Sequence, residues 1–164
     1  MAVAEIIGAA IGVMLLVVVA YMLVGSVLTA AEVVSTAQKD LTLQNEERMR
    51  TSLVITDKNK DSNILNISIT NTGSEIISDK THMDIFTSLV GGSTGYWHLT
   101  YNTACGIEGT WCIPSDKGIV PDAIHPNQLD PDEKMWIMAT SPTGTTPGWC
   151  QVVTSNGVSD SAYI

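Results

Sequence analysis

From Ile6 to Ala31 the chain carries no charged side chain, and the stretch is built mainly from Ile, Val, Leu, Ala, Met and Gly. A helix needs about 20 apolar residues to cross the ~30 Å hydrocarbon core of a bilayer, and this run is longer. Nothing after it has the same character: the rest of the chain is polar, strand-rich and punctuated by Gly, Pro, Asn and Asp. The pattern predicts an apolar helix carrying a globular head.

The helix does not stop where the apolar run stops. Val33, Val34, Ala37 and Leu41 recur at three- and four-residue spacing, with Lys39, Asp40, Glu46 and Glu47 on other faces. No Pro or Gly interrupts the chain between Ser26 and Ile55. The expectation is one helix of about 45 residues, hydrophobic at its start and amphipathic at its end. Gly8 and Gly12 form a G-x-x-x-G pair inside it, with Gly25 as a further small site, and small residues let helix backbones approach closely in lipid. Such residues are also simply common in membrane helices. Glu5, just outside the apolar run, suits a helix N-terminus through the macrodipole and free amide donors. Its alternative role is to pair with the α-amino group of a neighbouring subunit. The lead Met1–Glu5 has no Lys or Arg, unlike the basic start of a secretory signal peptide, so the run reads as retained.

Of 164 residues, 17 are acidic and 8 basic, for a net charge of −9. Phosphate binding needs a basic patch and none is clustered here, which argues against a nucleic-acid partner. An acidic surface fits solubility, or binding of cations or a basic partner. Removing the helix leaves about 110 residues, enough for one domain with a core of its own. The division is drawn as 1–51 for the helix and 52–164 for the head.

Within the head, Leu53 and Ile55 alternate with polar neighbours, and Leu65, Ile67 and Ile69 alternate with Asn66, Ser68 and Thr70, the marks of half-buried strands. Asp57 to Asn63 reads as a solvated hairpin loop; its D-x-N-x-D start resembles a calcium loop, but Ser62 replaces the required Gly and Ser68 the bidentate Glu. Further strands are expected from Glu75, Met83, Tyr96, Gly118, Lys134, Trp149 and Val158, with a loop at Gly91–Gly95 and turns at Asn71-Thr72-Gly73 and Asp130–Glu133. Short strands with turn signals every 8–12 residues or so predict an immunoglobulin-like antiparallel β-sandwich.

The three cysteines, Cys105, Cys112 and Cys150, all fall late in the head. Cys105–Cys112 is the preferred bridge and Cys112–Cys150 the second, provided the head lies in an oxidising compartment. Zinc is a weaker reading: no C-x-x-C pair is present, although His98 lies nearby as a further ligand type. Asn66-Ile67-Ser68 is an N-glycosylation sequon on the polar face of its strand. Trp136 reads as core, and Trp111, inside the cysteine loop, as a residue exposed for contact. His82, His98 and His125 are scattered, and no nucleophile elbow, phosphate loop, dinucleotide fingerprint or paired metal spacing occurs. The residues therefore point away from an enzyme, and no cofactor or metal is expected.

The apolar N-terminal helix, Leu65–Ser74 with its Asn71-Thr72-Gly73 turn, Asp84-Ile85-Phe86 and the late Val153–Val158 resemble the archaeal flagellar protein F family, within the archaellin (archaeal flagellin) superfamily. The resemblance spans nearly the whole chain. It implies a membrane-associated helix plus an immunoglobulin-like sandwich in the archaeal cell envelope. Members of the F type are expected to anchor the archaellum motor to the surface layer, and archaellins proper to bundle a similar helix into a filament core. Filament subunits begin with a short basic leader. None stands before this helix, so either the sequence begins at the mature residue or the chain is never processed.

Topology draws on opposed signals. Lys39, Arg48 and Arg50 lie on the head side and no Lys or Arg lies before the helix, which by the positive-inside rule favours a cytoplasmic head. The sandwich pattern, the sequon, the cysteines and the resemblance favour an external one, and that is the expectation adopted. The leading expectation is thus a structural archaellum component whose head binds surface-layer protein or another copy of itself. A filament subunit comes next, and a membrane-anchored ion- or ligand-binding sandwich last.

Overall fold

The unbroken stretch without Pro or Gly after Ser26 lets one helix, α1, run from Ala2 to Arg50 in the computed structural model, which describes residues 2–91 and 95–164. At 1.5 Å per residue it spans about 74 Å. Glu5 in its first turn and Arg48 and Arg50 in its last complement the helix dipole. The chain divides into two compact units between Gln44 and Asn45, so the final residues of α1 belong with the head.

The head contains β1 (Leu53–Asp61), β2 (Ile64–Asn71), β3 (Asp84–Gly91), β4 (Gly95–Tyr101), β5 (Thr110–Cys112), β6 (Ile119–Val120), β7 (Lys134–Thr140), β8 (Thr145–Val153) and β9 (Ser159–Tyr163). Strand order is β1-β2-β7-β5-β4-β3-β8-β9, with β6 beside β7. Residues 92–94 of the loop expected between β3 and β4 lie outside the described residues. The sheet folds over itself as a sandwich. One layer contributes Leu65, Ile67, Ile69, Met135, Ile137 and Ala139 to the core, and the other Ile85, Leu99, Cys150 and Val152. Register follows from this burial: Ile67 lies opposite Ile137, and Ile85 lies between Leu99 and Val152. Each fully buried Leu or Ile contributes about 1.5–3 kcal/mol of transfer free energy.

Three features depart from the sequence reading. The pairing is not wholly antiparallel: β4 and β5 run parallel, Thr100 beside Thr110 and Tyr101 beside Trp111. The loop between them turns back on itself, closed by Cys105–Cys112, and thereby joins the two layers. The loop expected over Asp57–Asn63 is mostly strand. β1 continues to Asp61, a register shift at Thr56 absorbs one residue, and only Ser62 and Asn63 turn, Ser62 at φ 55°. The expected strand at Glu75–Ile77 shrinks to a single bridge between Ile77 and Leu129.

The two ends of the strand order, β1 and β9, meet through side chains. Asp160 accepts a hydrogen bond from the Ile55 amide at 2.8 Å, and the Lys58 ammonium donates to the Tyr163 carbonyl. These contacts occupy backbone groups that an edge strand would otherwise offer to another chain.

Candidate functional site

From Val3 to Leu43 every large apolar residue of α1 is exposed, Ile6 at 68%, Leu16 at 70% and Leu28 at 65% among them. From residue 6 to 31 the helix is apolar all round rather than along one stripe, which is the pattern of a helix surrounded by lipid or by other helices. Ser26 and Thr29 bond back to the helix: Ser26 donates to the Leu23 carbonyl at 2.9 Å and Thr29 to the Gly25 carbonyl at 3.0 Å. They therefore present no unpaired donor to an apolar environment. A Cβ added at Gly8, Gly12 or Gly25 would meet nothing within 4 Å. At roughly 100° per residue, Glu5, Gly8 and Gly12 share one stripe of the helix and Gly25 lies on another.

The end of α1 is held by two turns of the head. A helix leaves its last carbonyls without intrahelical partners. Here the amides of Ser74 and Glu75 donate to the Arg50 carbonyl at 2.8 and 3.2 Å, and the amide and hydroxyl of Thr51 both donate to the Glu47 carbonyl. Asn71 shapes that turn: its carboxamide oxygen accepts from the Gly73 amide, while its nitrogen donates to the carbonyls of Glu75 and Leu129. Gly73 is demanded by space, since a Cβ there would stand 2.4 Å from the Arg50 oxygen and 2.5 Å from the Ser52 nitrogen. The second turn approaches from β8–β9, where Asn156 donates to the Thr51 hydroxyl at 2.6 Å and Arg48 reaches the Gly157 carbonyl at 3.5 Å. A hollow of about 170 Å³ lies beside this junction, lined by Glu47, Glu75, Thr154 and Asn156 among others. The Asn71-Thr72-Gly73 and Asn156-Gly157 turns, far apart in the chain, thus converge on one short segment, the first on Arg50 and Ser52 and the second on Arg48 and Thr51.

Cys105 and Cys112 are disulfide-bonded, with Cα atoms 5.3 Å apart, and Cys150 is a free, buried thiol. Burial pushes the Cys150 thiol up to about 11. The pairing leaves neither Cys112–Cys150 nor a cysteine set for zinc. Trp111 is a correction: it is 1% exposed, because β5 sits between β4 and β7, and its ring packs edge-on to Tyr101 at 4.9 Å. Trp136 is the converse, half-buried on the outer side of β7, with the Lys117 ammonium 4.9 Å from its ring centroid.

Asn66 is half-buried on that same outer face, and Ser68 of its sequon is fully buried, bonded to Thr56 and Asp57. Lys134 donates to Asp57 at 2.9 Å, and this bond, with that from Ser68, holds the Asp57 carboxyl below its usual range. The acidic turn after Leu129 faces inward. Glu133 accepts from the amides of Ala123 and Asp130, and Asp130 from the amide and ring of His125. The His125 ring nitrogen in turn lowers the Asp130 pKa. These carboxylates hold the 121–129 loop. Among the described residues no group of three or more His, Cys, Asp or Glu is placed to hold a metal ion.

No known family profile and no curated protein matches the chain. Solved structures do. The archaeal flagellum of Methanospirillum hungatei strain JF1 superposes with a TM-score of 0.63 at 18% identity, over 95% of this chain and 90% of that one. The archaellum periplasmic stator protein FlaG from Sulfolobus acidocaldarius superposes at 0.50 with 18% identity, over 70% of this chain and 99% of that one. A chain of the FlaF and FlaG stator complex of the same organism gives 0.50 at 21%, over 68% and 87%. The chain shares its fold, a long N-terminal helix followed by a β-sandwich, with the archaeal flagellum structure.

Proposed function

We propose that this chain is a structural, non-enzymatic component of an archaellum-type appendage at the archaeal cell envelope, held by α1 and acting through assembly of its heads outside the membrane. The observation that carries this is the helix: its apolar surface is exposed on every side and requires lipid or other helices to cover it. In the head, the buried carboxylates are committed to backbone amides rather than aimed at a substrate. A disulfide in the head fits an oxidising location outside the cell. In this reading the head meets surface-layer protein or another copy of itself, and Asn66 is a candidate for glycan attachment.

A filament subunit is the second reading, and one observation favours it. The likeness to the archaeal flagellum covers 95% of this chain, against 70% for the stator protein, so it takes in α1 as well as the head. In a filament, Glu5, Gly8 and Gly12 would line a helix–helix contact in the core. Electron microscopy of purified surface filaments with mass spectrometry of their subunits separates the two readings. Finding the chain as a major filament component supports the second; its absence there, with retention in carbonate-washed membranes, supports the first. Release from membranes by carbonate together with absence from filaments would end both. Intact mass of the isolated chain reads out processing and any glycan on Asn66.

A further inference from the structure

The two outer faces of the sandwich differ in chemistry. On the layer β4-β3-β8-β9, register places Tyr96 beside Ser88, Ser88 beside Trp149 and Trp149 beside Tyr163, one row running across all four strands. The next row places His98 beside Phe86, Phe86 beside Gln151 and Gln151 beside Ser161. Tyr96 is 80% exposed, Tyr163 78% and Val90 61%. The Tyr96 and Trp149 rings meet edge to face at 5.8 Å over the small Ser88, and Phe86 lies 5.0 Å from the His98 ring. The only Phe of the chain, two of its four Tyr and one of its four Trp therefore share one surface.

Charge is nearly absent from that surface. Among the described residues its one acid is Asp84, hydrogen-bonded by His98 at 2.8 Å. The opposite outer face carries Asp57, Lys117 and Lys134 around Trp136, while the Lys58 and Lys60 ammoniums end on backbone carbonyls of β9 and β8. Aromatic enrichment with depletion of charge marks the centre of protein–protein contacts. We infer that the outer face of β4-β3-β8-β9 is the contact by which the head docks on the head of a second copy of this chain.

The occupant follows from electrostatics. Residues 45–164 hold fourteen Asp and Glu against seven Lys and Arg, so two heads repel wherever their charged surfaces meet. This face lets two copies approach without that repulsion. A basic partner would need free carboxylates here, and Asp84 is engaged by His98. Rings alternating with Ser88 and Gln151 can interdigitate about a two-fold axis, and the Tyr hydroxyls supply hydrogen bonds at the rim. The patch is small, but copies held together by α1 meet at an effective concentration in the millimolar range or so, where a weak contact is occupied. The inference rests on the assembly role proposed for α1.

The test uses the full chain in its native membranes or filaments, with the photoreactive substitution Tyr96→benzoylphenylalanine or Tyr163→benzoylphenylalanine, and Asn66→benzoylphenylalanine on the opposite face as control. Irradiation is expected to give the crosslinked homodimer from positions 96 and 163 and not from 66. Adding Trp149→Ser to the position-96 variant is expected to lower the dimer yield roughly tenfold. No dimer from 96 and 163, equal dimer from 66, or a crosslink to a glycan or to a different protein would overturn the inference. Carbonate extraction of the same samples reports separately on α1: a chain that stays with the membrane or filament but gives no head dimer overturns the docking face and leaves the assembly role standing.

Discussion

The helix and the head treat their apolar residues in opposite ways. In the head, Leu65, Ile67, Ile69, Ile85 and Ile137 are fully enclosed by the two layers of one domain. In α1 the same residue types, from Ile6 to Leu43, stand exposed. Both respond to the same driving force, roughly 25 cal/mol per Å² removed from water. The head satisfies it within one chain, whereas the helix can satisfy it only in company. Stability of the head is therefore a property of the molecule, and the environment of α1 is set by whatever surrounds it, lipid or other helices.

That contrast can be broken by substitution, and the largest effect is expected in the core. Ile67→Ala removes a β2 side chain enclosed in the core between the two layers and should destabilise the head by about 2–5 kcal/mol. All four Trp lie in the head, so denaturant unfolding followed by Trp fluorescence reads this directly, while helical circular dichroism in detergent should be retained. Leu16→Asp is the mirror experiment. A charge at mid-helix costs about 2.5–3.5 kcal/mol in a bilayer, so retention in membranes or filaments should fall while the unfolding midpoint of the head stays put. A shifted midpoint would mean that the two regions are not energetically separate.

Smaller changes sharpen the boundary between them. Gly73→Ala drives a Cβ into the Arg50 and Ser52 backbone and should cost about 1–3 kcal/mol in the same fluorescence assay. Gly157→Ala, where a Cβ meets nothing, tests only backbone conformation at φ 82° and should cost less.

Acid should act on the head alone. Asp57, Asp79 and Asp130 are held below the ordinary value of 3.8 by hydrogen bonds from Lys134, His82 and His125 respectively. A depressed folded-state pKa contributes stability that is fully present above the unfolded value and is lost as pH falls through the folded one. The urea midpoint should thus hold from neutral pH to about 5 and decline below about 4. A midpoint unchanged in that acid range would discount these three pairs. Cys150, raised to about 11 by burial, works in the opposite sense: its contribution is complete below the ordinary 9.0 and lost as pH climbs through about 11. Alkylation at neutral pH should leave it unmodified until urea is added.

Much of the architecture is legible in the residues themselves. The uncharged run after Glu5 and the lack of Pro and Gly beyond Ser26 are local properties, and they specify α1 without reference to any other part of the chain. Strict alternation does the same for β2 and β7, where the expected cores of the strands, Ile64–Thr70 and Lys134–Thr140, agree with the observed register. The charged end of β1 reads as loop because its lysines do not alternate with apolar residues. They extend instead to the backbone of β8 and β9, which only the closed sandwich brings within reach. The burial of Trp111 escapes the sequence for a similar reason. A three-residue strand has no period to detect, and its position depends on a parallel pairing across a disulfide loop.

By itself, then, the sequence determined the elements whose signals are local: the apolar helix, the principal strands and the turn residues at Asn71, Gly73 and Asn156. Only the tertiary structure decided what those turns do, which tryptophan is core, and which outer face is left aromatic and poor in charge. Hydrophobic periodicity is written along the chain, whereas the meeting of Thr51 with Asn156, or of Ser88 with Tyr96 and Trp149, exists only after distant strands pair.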